Sequence, residues 1–147
     1  MEIDLDKRYQ TLIVLWFGLL MSVGLYFLVT QFAAPAINHE RTGSPSSLLI
    51  VALTALGTFL VILSFAVKRK LLERSVAAQD VGLVQKAIVV ACAMCEVCAL
   101  LGLIERFTIG NREYYWLFLL AAAGIAFHFP RRNDLESASY KNQGQLN

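Results

Sequence analysis

Glu96 lies in the middle of an otherwise uncharged stretch, and three cysteines surround it in the run Cys92-Ala-Met-Cys95-Glu-Val-Cys98. Two chemistries follow from those residue types. A carboxylate in an apolar setting can take up and release a proton or cation, or it can stay protonated and donate a hydrogen bond. Three thiols can hold a soft metal. The spacing argues against the metal, because steps of three residues advance a helix by about 300° and fan the thiols over roughly 120° of one face. A tetrahedral site needs further ligands at that depth. The two histidines are badly placed for this: His39 lies in a polar loop beside Glu40, and His128 closes the last apolar segment, where we expect an interfacial residue. No metal and no cofactor is therefore expected. Cysteine then reads as a small apolar residue, and no disulfide framework is implied.

Glu96 demands a partner, since an acidic side chain at the centre of a membrane helix costs on the order of 2.5–3.5 kcal/mol. No Lys, Arg or His falls at that depth. The polar groups that do are Ser22, Thr54 and Thr58, with Gly57 between the two threonines. A protonated Glu96 donating to one of those hydroxyls is interhelical glue, worth about 0.6–2 kcal/mol. The alternative is a proton or cation site that cycles. An enzyme is not expected: no Ser/His/Asp or Cys/His arrangement gathers on one side, and no glycine loop cradles a phosphate.

Four apolar segments must position these groups. They run over about 11–33, 47–67, 86–106 and 113–129, and composition agrees: 57% of residues are hydrophobic, 16% are charged, and mean hydropathy is +0.58. The first, with 23 residues from Thr11 to Ala33, reaches about 34 Å and spans with some tilt. The fourth, opened by Tyr114-Tyr115-Trp116 and stopped by Pro130-Arg131-Arg132, is the shortest. Helix is required throughout, because a lone segment in lipid must satisfy its own backbone, and no strand-like alternation occurs. A cleaved signal ending near Ala34-Pro35-Ala36 is less expected than a retained helix, since the apolar run exceeds the 7–15 residues of a signal core.

Lysine and arginine set the orientation. Lys7, Arg8, Lys68, Arg69, Lys70, Arg74, Lys86, Arg131, Arg132 and Lys141 fall on one side, against Arg41, Arg106 and Arg112 on the other. That asymmetry predicts both termini and the 68–85 loop in the cytoplasm, with the protein in the plasma (inner) membrane. Residues 34–46, rich in Pro, Gly and Ser, form an outer turn ending in helix caps. The basic and apolar residues after Val67 predict that the second helix continues past the membrane surface before Gly82. The tail 131–147 reads as polar and mobile. A net charge of +2 gives no reason for a nucleic-acid partner.

Small residues mark the helix faces that approach closely: Gly18 with Ser22 in the first helix, Gly57 in the second, Ala91, Cys95, Ala99 and Gly102 in the third, and Ala121 to Gly124 in the fourth. The expected fold is all-α: one integral membrane domain, an antiparallel four-helix transmembrane bundle with small faces inward. Its partners are the lipid bilayer and either further copies or other membrane subunits. The expected role is a structural or accessory part of a membrane assembly.

The stretch Ala91-Cys-Ala-Met-Cys-Glu96-Val-Cys-Ala99-Leu100-Leu-Gly102-Leu103-Ile104 also resembles the carboxylate-bearing helix of the rotary ATP synthase membrane-ring subunit, subunit c. Glu96, Ala99, Leu100, Gly102 and Leu103 carry the match, and Ala77-Ala78-Gln79 is loosely similar to that family's polar loop. The family's glycine-repeat inner helix and its Arg-Gln-Pro loop signature are not present. The resemblance implies a coupling-ion site at Glu96, the one position that can receive the role.

Overall fold

The computed structural model describes residues 2–33, 47–110 and 113–139, and every regular element in them is helical. The outer turn with His39 and Glu40, Arg112 and the last residues of the tail lie outside that range. Helix α1 spans Glu2–Phe32, α2 Ser47–Ala78, α3 Val81–Ile104, α4 Tyr115–Phe127 and α5 Arg132–Ser139, with one π turn, Glu105–Ile109, after α3. Three stretches are long and apolar enough to cross a membrane: Leu5–Phe32, Ser47–Ala78, and α3 with its π turn, Val81–Ile109. Helix α4 is apolar but shorter, with 13 residues.

The connection 68–85 is helical on both sides of a tight turn, and the second helix continues past Val67 as its residues predict, to Ala78 before Gly82. Helix α2 runs on to Ala78 because Lys68 to Ala78 contains good helix formers, and Arg69 pairs with Glu73 one turn later at 3.1 Å. It ends with Gln79 at φ 54° and the Asp80 amide donating to Ser75 O at 3.1 Å. That is a left-handed helix terminus with glutamine where glycine is usual. Asp80 then caps α3, its Oδ1 accepting from the Gly82 amide at 2.8 Å. The turn folds α2 and α3 into an antiparallel hairpin.

Helix α3 sits at the centre. Its widest contact is with α2, then α4, then α1. Ala87, Ala91, Cys92, Cys95, Cys98 and Ala99 have no exposed surface. Small side chains make this closeness possible, since association in lipid depends on tight packing. A Cβ on Gly124 would meet Cys95 Sγ at 2.7 Å and Val61 Cγ1 at 3.1 Å, and one on Gly57 would meet Leu117 Cδ2 at 2.9 Å. Gly102 is closed in by Leu117 Cβ at 3.0 Å and Tyr114 O at 3.2 Å. Gly18 differs: nothing lies within 4 Å of its Cβ position, and it faces outward.

Part of the tail is folded as well. Pro130 stops α4, and α5 turns back to bury Leu135 and Ala138 against α2 and α3. Arg132 reaches Asp6 of α1 at 3.3 Å, but both side chains are more than half exposed. Such a pair is worth little, so the buried leucine and alanine hold this helix.

Candidate functional site

The polar side chains of α3 point to three different neighbours. Glu96 is half-buried toward α1, where the Ser22 hydroxyl donates to its Oε1. Leu19 O, 2.7 Å from Ser22 Oγ, competes with the carboxyl for that single hydroxyl proton. Among the described residues this is the side-chain hydrogen bond of Glu96. Thr54 and Thr58, the other candidate partners, are engaged elsewhere. Thr58 donates to Thr54 O at 2.8 Å within α2, and Thr54 donates to Glu105 at 3.2 Å.

Cys95, adjacent to Glu96 but about 100° around the helix, faces α2 and α4. Its Sγ lies 3.5 Å from Ser64 Oγ, and Ser64 Oγ lies 2.7 Å from His128 Nε2. Ser64 spends its proton on Val61 O at 2.6 Å, so its oxygen accepts from Nε2–H and the histidine tautomer is fixed. His128 Nδ1 then carries the lone pair, buried and without a hydrogen-bond partner. His128, just past the end of α4 at Phe127, is fully buried, with Ser64 and Phe65 of α2 against it. Phe65 packs on the imidazole at 4.4 Å between ring centroids.

The third point is Glu105, which the sequence offers as a bracket to the apolar stretch. The structure buries it to 1% exposure at the start of the π turn. A signal for this was present: Glu105 continues the ridge Ala91, Cys95, Ala99, Gly102 at the same spacing of three and four. Next to it Arg106 lies over the Tyr114 ring, Cζ to centroid 5.3 Å, and Gln31 of α1 donates to Tyr114 OH at 2.8 Å. A further tie joins α1 to α4, the Trp16 indole donating to Ile125 O at 2.7 Å.

The arrangement therefore connects helices at several heights. Glu96 joins α3 to α1, the Cys95, Ser64 and His128 group joins α3 to α2 and α4, and Glu105 joins the end of α3 to α2. Among the described residues no group of three or more His, Cys, Asp or Glu side chains is placed to hold a metal. The cysteines are free thiols buried in packing contacts, with Cys98 Sγ 3.6 Å from Leu117 O.

These features define the class: an all-helical chain with helices long and apolar enough to cross a membrane, held together by buried polar ties. Comparison with protein-family models, curated proteins and solved structures returned no match.

Proposed function

We propose that this chain is a small multi-pass membrane protein that serves as a structural or accessory component of a membrane assembly, without catalysis of its own. In this reading α1 to α4 are an antiparallel transmembrane bundle in the plasma (inner) membrane, with both termini cytoplasmic. The observation that carries the reading is the direction of Glu96: it turns toward Ser22 of α1 instead of standing free on the outer surface of α3. A carboxyl that belongs to an intramolecular tie supports packing. The broad apolar surfaces left on α1 and α2, Phe17, Met21, Leu25, Phe59 and Ile62 among them, suit lipid or neighbouring subunits.

A second reading, reversible proton or cation binding at Glu96, is favoured by its being only half-buried, which leaves the carboxyl reachable. Glu96→Gln separates the two, since an amide can still bond to Ser22 but cannot cycle a proton. The packing reading expects native mass spectrometry of gently extracted Glu96→Gln protein to show the wild-type assembly, with wild-type function in the cell. An assembly that forms but no longer supports function would establish the ion reading in its place.

A further inference from the structure

Helices α1 and α2 both pack on α3 but not broadly on each other, and α4 packs on all three. The side of this layer away from α4 is bare. Val90, Val97, Leu100 and Ile104 of α3 are 40–44% exposed, and they lie roughly half a turn around the helix from Cys95 and Gly102, which meet α4. They form the floor of a shallow apolar groove whose walls are α1 and α2.

Three cations stand at one end of that groove. Each is nine residues from a side chain that touches the last turns of α4 or the residues just after them: Lys7 from Trp16, whose indole donates to Ile125 O, Arg74 from Phe65, whose ring centroid is 6.4 Å from that of Phe127, and Lys86 from Cys95, which lies against Gly124. Nine residues advance a helix by about two and a half turns and about 13.5 Å. The three side chains therefore leave the layer on the side opposite α4 and at one height. Lys7 and Lys86 precede their reference residues, whereas Arg74 follows its own in the antiparallel α2, so all three fall at the same end. All are exposed. Other charges there are matched: Arg69 with Glu73, and Arg132 with Asp6 and Glu136. Among the described residues no ion pair or hydrogen bond engages the side chains of Lys7, Arg74 or Lys86.

We propose that this groove seats an anionic phospholipid, with its phosphate among Lys7, Arg74 and Lys86 and an acyl chain along Val90, Val97 and Leu100. Unmatched cations attract an anion, and the apolar floor that begins one turn beyond Lys86 accepts a chain joined to it. A lipid of net negative charge supplies both. A zwitterionic lipid brings its own cation, which these residues repel. The site rests on the membrane reading above, which sets this end at the cytoplasmic surface.

The test is native mass spectrometry of full-length protein released from nanodiscs of equal parts phosphatidylglycerol and phosphatidylcholine. Phosphatidylglycerol should be retained about tenfold over phosphatidylcholine. Lys7→Gln, Arg74→Gln and Lys86→Gln should each cut that preference about twofold, and the three together should bring it close to parity. Arg69→Gln and Arg132→Gln remove the same charge from the same end, but from matched pairs, and should leave it unchanged. All five side chains are exposed, so the fold should survive each change. No preference in the wild type would overturn the site, and so would an equal fall in the two control variants, which would make the preference a property of total charge. Loss of the preference on adding equimolar soluble glycerol phosphate would keep the anion chemistry and overturn the lipid as its source. Carbonate extraction of the native membranes tests the membrane reading separately. A chain washed off fails that reading; a chain retained without the preference fails the site alone.

Discussion

Helices α1 and α3 are both long and strongly apolar, yet 11% of the most apolar stretch of α1 is buried inside the molecule against 44% for α3. Hydrophobicity does not separate them; side-chain size does. Helix α3 presents Ala87, Ala91, Cys95, Ala99 and Gly102 to its neighbours, whereas α1 carries large side chains around most of its surface, with Val14, Phe17, Met21, Leu25 and Leu28 exposed. In lipid, where apolar surface gains little by leaving the hydrocarbon, the helix that lets others come close becomes the centre. Helix α1 is attached more sparsely, through Trp16, Ser22 and Gln31, and the polar ties matter more there.

The sharpest way to break this contrast is to add one methyl group where α4 meets α3. Gly124→Ala drives a Cβ into Cys95 Sγ and Val61, both held by packed helices, and should destabilise the protein by about 1–3 kcal/mol. Thermal unfolding in a mild detergent will read it, and an unchanged midpoint would mean that α4 is not seated on α3 as described. The same substitution on α1 should act in the opposite direction. Gly18→Ala meets open space and removes a flexible residue from a helix interior, for a gain of about 0.5–1 kcal/mol in the same assay. A loss at Gly18 would reveal a close partner on that face. The smallest effect belongs to the tie between the two helices. Ser22→Ala should cost about 0.6 kcal/mol, and adding Glu96→Gln to it should change almost nothing, because the hydroxyl that the amide would go on bonding is already gone.

The contrast also explains what the sequence could reveal. The apolar lengths, the small-residue ridge of α3 and the pairing of Glu96 with a hydroxyl at its own depth were readable, since each depends on composition and helical spacing alone. Gly18 was not, because glycine and serine four residues apart look the same whether the face they define is covered or bare. Thr54 was directed elsewhere by Glu105, whose inward position depends on where the π turn falls. The continuation of α2 beyond Val67 was legible in the mix of basic and apolar residues there, but the place of its end was not, since a glutamine in the left-handed region leaves no mark in a sequence. The burial of His128 inside the protein was not legible, because Pro130 and two arginines follow it in sequence. Ser64 and Phe65, more than sixty residues earlier in α2, are what it meets there.

The shortness of α4 carries a consequence for the membrane itself. Its 13 residues reach about 20 Å, whereas the hydrocarbon layer is about 30 Å thick. In the transmembrane bundle proposed above, Tyr115, Trp116, Leu119 and Phe127 give this helix an outward apolar side that lipid must cover. Beside the longer α1 and α2 the bilayer can then keep its full thickness, but beside α4 the acyl chains have to shorten or lean to match. In that bundle, hydrophobic mismatch confined to α4 would make the protein a local wedge in the bilayer, drawn toward thin or curved membrane and toward neighbours whose own short helices share the deformation.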